Sequence, residues 1–290
     1  MKTPRKGSSM DHHNVYTQWR ASLRAALAAV IGTLLLGGPG FSTAADEIRI
    51  GGTGAGLGTM QALAEAFMKQ NPDAKVTVLP SLGTSGGIKA AIQGATDIAV
   101  AARPLKDDER KQGLVAFEYG RTPFVMAVAS KTNASAITLA QLADIYAGKM
   151  NNWPDGTRIR IVLRPAGDAE TDLIKSLSPE IRQALSEAEK RPGVIFAVTD
   201  QDAADSLEKI PGAIGPTSLA LITYEKRGIK ALKLGNVEPT LKNLAAGSYS
   251  YQKHLYLVTR SKPSAAAQRF VTFVQSGAGR EILSRAYALP

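Results

Sequence analysis

The sequence contains no cysteine, and histidine and aromatic residues are also scarce. Without cysteine the chain has no disulfide, no thiolate metal site, no cysteine nucleophile and no lipid-bearing cysteine. His12 and His13 lie near the start, which leaves His254 as the one histidine in the rest of the chain, so we expect no metal. Aromatic residues make up 6% of the chain, few for stacking on bases, and we expect no nucleic-acid partner.

Residues 1–45 resemble a secretory signal peptide. Several Lys and Arg residues precede an apolar segment, Ala25 to Gly38, which is short for a membrane span. Ser42, Thr43 and Ala44 suit the small-x-small rule for cleavage. We therefore expect export to the periplasm after cleavage of this segment. The alternative is an uncleaved N-terminal anchor.

The charge of the chain suits an anionic ligand or an anionic surface. The first 44 residues carry five Lys/Arg and one Asp, which leaves the remainder at +6 of the total +10. A mildly basic exported protein is suited to attract an anion. Ordinary solvation of the surface is the alternative explanation.

Two strand–loop–helix units of similar design occupy the stretch from Ile48 to Arg103. In the first, a strand ends in the glycine-rich loop Gly51–Gly58, and periodicity predicts a helix from Thr59. In the second, the loop Ser81–Gly87 leads to a helix predicted from Ile88. A Gly/Ser/Thr loop before a helix presents free N–H groups and hydroxyls at the positive end of the helix dipole. Two such loops side by side predict an anion pocket.

The rest of the chain alternates strands with helices, which predicts an α/β fold with mainly parallel sheets. The apolar run Phe124–Ala129 is typical of a buried strand. Thr138 and Gln141 form a predicted capping box, and Gly148 is expected to end that helix. Ser250–Arg260 alternates and predicts a long strand.

The glycine loops match neither cofactor fingerprint. No three glycines of the first loop have the dinucleotide spacing, and no lysine follows a P-loop pattern. We therefore expect no cofactor.

The second loop does match the G-x-S-x-G nucleophile elbow, with Ser85 at its centre. A serine hydrolase would need Asp144 or Asp200 as the acid and His254 as the base. His254 lies within a predicted strand, and no His-Gly-Gly oxyanion sequence precedes Ser85. Catalysis is therefore the less favoured alternative, and a structural histidine the favoured one.

Two arginines follow predicted parallel strands at the end where ligands bind in open α/β sheets. These are Arg103 and Arg164. Either guanidinium can hold an oxyanion with two parallel hydrogen bonds. Asp168 and Glu170 oppose this role, because carboxylates repel a bound anion unless they are protonated, face away or accept a proton from the ligand.

Four segments together resemble the phosphate-binding family of periplasmic solute-binding proteins, over nearly the whole chain after the signal peptide. They are Gly83–Lys89, Asp97–Leu105, Leu139–Trp153 and Pro211–Gly215. The resemblance implies a two-lobed, type II-like periplasmic-binding-protein fold that closes on its ligand by hinge motion.

The resemblance also implies where the lobes lie along the chain. Lobe 1 would comprise residues 46–127 and 252–290, and lobe 2 residues 128–251. The two crossover strands would be Phe124–Ala129 and His254–Thr259.

Carried over by position, the resemblance implies ligand contacts from Thr53, Gly54, Ala55, Thr84, Ser85 and Arg164. The chain departs from the family pattern at two places. Ala102, next to Arg103, replaces the aspartate that accepts the ligand's proton. Asp168-Ala169-Glu170 replaces the Ser-Gly-Thr of the third loop. We therefore add Arg103 and Asp168 to the expected site.

The resemblance implies a non-catalytic, exported solute-binding protein that captures a small oxyanion, phosphate first, for a membrane ABC permease. We expect a monomer. The alternatives are a sensory role, a related anion or a small carboxylate whose amine meets Asp168, and the serine hydrolase through Ser85 and His254.

Overall fold

The computed structural model describes residues 46–290, so the predicted signal peptide lies outside the described residues. No helix within this range is both long and apolar enough to cross a membrane. The strands are β1 (Asp46–Gly52), β2 (Ala74–Val78), β3 (Ile98–Ala101), β4 (Leu114–Ala129), β5 (Ala136–Ile137), β6 (Arg160–Leu163), β7 (Ile195–Phe196), β8 (Ala213–Ser218), β9 (Ile229–Ala231), β10 (Lys233–Leu234) and β11 (Gln252–Arg260). The helices are α1 (Gly54–Gln70), α2 (Gly83–Gln93), α3 (Asp107–Lys111), α4 (Leu139–Ala147), α5 (Ala169–Leu177), α6 (Pro179–Ala188), α7 (Asp200–Lys209), α8 (Leu219–Glu225), α9 (Leu241–Ala245), α10 (Ala265–Gln275) and α11 (Gly277–Leu283).

One large mixed sheet organises the described part of the chain. Its strands follow the order β2-β1-β3-β11-β4-β8-β6-β7, and β9 also pairs with β4. The pairs at the two ends of the sheet are parallel. The central pairs, which involve β4 and β11, are antiparallel. The prediction of mainly parallel sheets therefore holds only away from the centre.

Strand β4 is much longer than the predicted strand Phe124–Ala129. Its first part, 114–123, pairs with β11, whereas 124–128 pairs with β8. The sequence did not reveal the first part because exposed and charged residues interrupt its apolar pattern. The partner of β4 thus changes at Phe124. The division into two lobes at the predicted boundaries stays a prediction.

Four clusters of buried side chains pack in the described part of the chain, and the two largest lie against the two parts of the sheet. The first contains Ile50, Phe67 and Phe270, and the rings of the two phenylalanines meet edge-on at 5.3 Å. The second contains Phe124 and Trp153. Burial of these large apolar groups stabilises the strand ends from which the site loops start.

Helices α1 and α2 begin earlier than the predicted Thr59 and Ile88. The predictions failed because glycine has low helix propensity and suggests a loop. Packing explains why glycine is nevertheless used. A Cβ on Gly87 would lie 2.6 Å from Cα of Gly52, and one on Gly54 would lie 2.8 Å from an Asp200 carboxylate oxygen. Both glycines therefore let a helix start close to its neighbours.

The predicted capping box at the start of α4 is confirmed. The backbone N–H of Gln141 donates to Oγ1 of Thr138 at 3.1 Å, and the N–H of Thr138 donates to Oε1 of Gln141 at 2.9 Å. Gly148 ends the helix with a φ of 74°, in the left-handed conformation that favours glycine.

Candidate functional site

A cavity of about 560 Å³ opens between the first turn of α2 and the loop that leads into α5. Five of the predicted site residues line it: Thr53, Thr84, Ser85, Arg103 and Asp168. Four further charged residues that the sequence analysis had not assigned to the site also line it: Lys106, Asp172, Asp200 and Lys253. Gly54, Ala55 and Arg164 are not among the lining residues.

The first turn of α2 offers hydrogen-bond donors to this cavity. Leu82 precedes the helix and gives it no side-chain cap, so the free N–H groups of the first turn are left for a ligand or solvent. The N–H of Ala102 donates to Oγ1 of Thr84 at 3.0 Å. This contact orients the Thr84 hydroxyl and leaves its hydrogen free to donate. Ser85 is exposed beside it.

The first turn of α1 faces a carboxylate of the protein itself. Oγ1 of the buried Thr53 donates to Oδ2 of Asp200 at 3.4 Å. Gly54 lies against the same carboxylate, and the side-chain amide of Gln201 donates to the Gly54 carbonyl at 3.1 Å. Asp200 therefore occupies the position where the sequence predicted that the first loop would hold an anion.

Arg103 lines the cavity with its guanidinium already paired. Its Nη1 and Nη2 donate to the two carboxylate oxygens of Glu109 at 2.8 and 2.7 Å. This bidentate contact lowers the pKa of Glu109 to about 2 and raises that of Arg103. A bound anion would have to compete with Glu109 for this arginine.

Arg164 is buried behind the cavity and is surrounded by carboxylates. Its Nη2 lies 2.9 Å from Oδ2 of Asp168 and 3.9 Å from Oδ2 of Asp200. Its Nε lies 3.3 Å from Oε2 of Glu170. Nη1 donates to the carbonyl of Ala197 at 2.8 Å. The arginine predicted to hold the ligand is therefore neutralised by side chains of its own protein.

Lys253 completes this group from strand β11. Its Nζ lies 2.6 Å from Oε1 of Glu170 and 3.6 Å from Oδ1 of Asp200. We call Arg164, Lys253, Asp168, Glu170 and Asp200 the charge cluster. All but Asp168 are at most 5% exposed. Two cations thus face three carboxylates, which leaves one carboxylate in excess.

The pKa values within the charge cluster reflect this imbalance. Burial raises the pKa of Glu170 to about 7, although Lys253 opposes the shift. Burial acts in the same direction on Asp200, but the charges of Lys253 and Arg164 outweigh it and lower the pKa of Asp200. Glu170 is therefore the carboxyl that holds a proton most readily.

A model of the PBP superfamily domain matches residues 38–278 of the chain. The chain belongs to the PBP superfamily. The match spans the two parts of the sheet and every residue of the charge cluster.

Relatives in this superfamily include two proteins named phosphate-binding protein PstS. The one from Bacillus subtilis is 27% identical over 248 residues, which cover 82% of this chain and 78% of the relative. The one from Staphylococcus saprophyticus is 29% identical over 280 residues, which cover 87% of this chain and 85% of the relative.

Solved PBP-like structures confirm the α/β fold. A putative phosphate ABC transporter substrate-binding protein with bound phosphate from Clostridium perfringens superimposes with a TM-score of 0.70 at 24% identity, covering 84% of this chain and 99% of that one. An ABC-type phosphate transport receptor from Vibrio cholerae superimposes with a TM-score of 0.59 at 22% identity, covering 84% of this chain and 100% of that one. The match to the superfamily model and the two PstS relatives confirm the resemblance to periplasmic solute-binding proteins.

Within residues 46–290 of this PBP-like chain, no hydrogen bond joins Ser85 and His254. Ser85 lies in the first turn of a regular helix, and its φ is not among the positive values found in residues 46–290. A nucleophile elbow requires a strained turn at the serine. Nδ1 of His254, on β11, lies 3.0 Å from Oε1 of Glu118 on the neighbouring strand β4. Nor does any group of His, Asp or Glu in the described range have the arrangement of a metal site.

The sequence analysis missed the role of three members of the charge cluster, Lys253, Glu170 and Asp200, although the lysine carried a usable signal. In the alternating strand β11, Lys253 shares the buried face with Leu255 and Leu257. A lysine on the apolar face of a strand needs a buried partner. That pattern predicts an acidic partner but not which one, because Glu170 lies 83 residues away along the chain.

Proposed function

We propose that the protein is an exported, non-catalytic solute-binding protein that captures a small oxyanion, phosphate first, in the cavity at the start of α2. It would deliver this anion from the periplasm to an ABC-type permease and act as a monomer. The observation that carries the proposal is the uncapped first turn of α2, which opens into a cavity lined by Arg103, Lys106 and Lys253. The names of the PstS relatives and the phosphate bound in the Clostridium perfringens structure support phosphate as the first choice.

Donors and charges in the cavity suit an oxyanion that still carries a proton. The N–H groups of the first turn, with the hydroxyls of Thr84 and Ser85, can donate to its oxygens. Asp168 and Asp200 also line the cavity and would repel a fully ionised anion, unless they accept a hydrogen bond from it. Sulfate has no such proton near neutral pH.

Arg164 serves a different purpose in this proposal from the one that its position in the sequence suggested. It lies behind Asp168 and balances the negative charge of Asp168, Glu170 and Asp200. Arg164 is thus a positioning residue, and Lys253 is the cation that reaches both the charge cluster and the cavity wall.

A ligand that carries both an amine and a carboxylate is the second candidate. Asp168 is 21% exposed at the cavity and could bind an ammonium group while the first turn of α2 binds the carboxylate.

A sensory role would use the same site, and a pull-down of the membrane partner would distinguish a permease from a receptor.

The test is calorimetric titration of the refolded, ligand-stripped protein with phosphate, sulfate and arsenate. We expect saturable binding of phosphate and arsenate but not of sulfate. Ser85→Ala should weaken phosphate binding about tenfold, since a hydrogen bond to a charged group contributes about 1.5–3 kcal/mol. Ser186→Ala, on the exposed face of α6, is the matched control.

No heat with phosphate from a folded protein would refute the proposal of an oxyanion site, and an amino-acid screen would then test the second candidate. Labelling by a fluorophosphonate that is lost in Ser85→Ala would contradict the non-catalytic part.

A further inference from the structure

A second concave surface in the described chain is more basic than the candidate cavity and shares no lining residue with it. This basic pocket has a volume of about 390 Å³ and lies between the loop after α4, the start of β6 and the loop before β7. Arg158, Arg160 and Arg191 line it, and no acidic residue does. The remaining lining is largely apolar and includes Ile159 and Val194.

Local structure brings the three arginines to the same pocket. Arg158 and Arg160 are two residues apart in extended chain, so their side chains leave the backbone on the same side. Arg191 follows α6 and comes close to the turn that ends α4: a Cβ on Gly148 would lie 2.5 Å from its Nη1.

The hydrogen-bonding capacity of these arginines is largely unused within residues 46–290. Nη2 of Arg191 is buried and has no partner there. Arg160 donates from Nη1 to the carbonyl of Pro211 at 2.9 Å. Arg158 has no side-chain partner in this range.

This arrangement is costly without a ligand. A buried donor without a partner lowers stability, and like charges that line one pocket repel each other. An anion with several charges would remove the repulsion among the three arginines.

We propose that the basic pocket binds a phosphate-type oxyanion with more than one negative charge, such as pyrophosphate or a phosphomonoester. Planar guanidinium groups match the oxygen spacing of a phosphoryl group and can each donate two hydrogen bonds to it. The apolar lining accommodates the uncharged remainder of an ester. The same phosphomonoester group forms the headgroup of phosphatidic acid, so the experiment has an arm for each source.

The first arm is calorimetric titration of the purified protein with pyrophosphate at low salt. Arg191→Gln should weaken binding at least about tenfold, the effect of losing one charge-assisted contact. The exposed pair Arg158→Gln/Arg160→Gln should do the same without altering a buried atom. Arg182→Gln, on the exposed side of α6, removes the same charge outside the pocket and should leave the affinity unchanged.

The second arm is cosedimentation with vesicles of phosphatidic acid and phosphatidylcholine. Vesicle binding that is lost in Arg158→Gln/Arg160→Gln but kept in Arg182→Gln supports the pocket and assigns the phosphoryl group to a lipid. The proposal is overturned if the unaltered protein binds neither pyrophosphate nor vesicles. Binding that persists in both pocket variants overturns it equally.

Discussion

At the level of single residues, the charge cluster places two cations against three carboxylates with little access to water. Lys253 lies close to two of these carboxylates, Glu170 and Asp200, so its removal takes away one of their two neighbouring cations. Replacing both members of a buried ion pair by apolar residues of similar volume often changes the free energy of unfolding little. The loss of only one partner, however, is strongly destabilising.

Lys253→Met should lower the free energy of unfolding by about 3–5 kcal/mol, since it leaves the buried Glu170 and Asp200 with Arg164 as their one remaining cation in the charge cluster. The measurement is the urea midpoint at neutral pH. The matched control is Lys209→Met, which breaks an exposed pair with Asp205 and should cost about 1 kcal/mol or less. The double variant Lys253→Met/Glu170→Met should be more stable than Lys253→Met alone. Equal stability of these two would show that Glu170 does not depend on Lys253.

The raised pKa of Glu170 predicts how the free energy of unfolding depends on pH. Its folded-state pKa of about 7 lies above the ordinary value of 4.5, so the folded protein binds more protons than the unfolded one between these values. Stability from this group is fully present below pH 4.5 and is lost as the pH rises to about 7. Asp200, with its lowered pKa, acts in the opposite sense below 3.8.

Glu170→Gln should therefore remove a decline in melting temperature between pH 5 and pH 7 that the parent protein shows. Thermal unfolding at several pH values is the measurement. Arg164, Lys253, Asp168 and Asp200 surround this carboxyl and remain in the variant. Glu187→Gln on the exposed surface of α6 should keep the parent's decline. A parent profile that rises over this range would be inconsistent with a protonated Glu170.

At the level of elements, glycines set where the two site helices begin. Gly87 lets α2 approach the end of β1, since its Cα hydrogen faces the backbone of Gly52. An added Cβ at Gly87 would meet the backbone of Gly52, which cannot move aside as a flexible side chain would. The position of the α2 first turn, and with it Thr84 and Ser85, thus depends on this contact.

Gly87→Ala should destabilise the protein by about 1–3 kcal/mol through overpacking, although alanine favours a helix by about 1 kcal/mol over glycine. Gly277→Ala is the control, because an added Cβ at this helical position meets no atom within 4 Å. Urea unfolding compares the two. A stabilised Gly87→Ala variant would mean that α2 can shift away from β1 at no cost.

At the level of the whole molecule, β4 and β11 run through the centre of the sheet and connect its two parts. Lys253 on β11 contacts Glu170 on α5 and Asp200 on α7. The candidate cavity is lined by residues from both parts of the sheet. A ligand in this cavity should therefore stabilise the described fold as one unit.

Phosphate at about one hundred times its Kd should stabilise the folded state by about 2.7 kcal/mol. For a chain of this size that corresponds to a rise in melting temperature of about 5–10 °C. Differential scanning calorimetry with and without phosphate provides the measurement, with sulfate at equal ionic strength as the control. Equal shifts with both salts would indicate a general ionic effect and contradict a specific site in the cavity.

The sequence predicted elements whose signal is local. The capping box of Thr138 and Gln141 needs only residues three apart, and the apolar run Phe124–Ala129 marks a buried strand regardless of its neighbours. It failed at Leu114–Pro123 and at the starts of α1 and α2. In those places the conformation depends on which strand or helix packs alongside, which no local pattern contains.

The features of the candidate site also separate into those with a local sequence signal and those that depend on tertiary contacts. The sequence by itself determined the superfamily and the α/β fold, because these depend on patterns of residues that are close together along the chain. It also pointed to Thr84 and Ser85 as ligand contacts, although it placed them in a loop and not in the first turn of α2. Only the tertiary structure decided that Arg164 is neutralised by carboxylates and that Lys253 joins them. The reason is physical: the charge of a buried group is set by partners close in space, and Lys253 lies 83 residues from Glu170 in the chain.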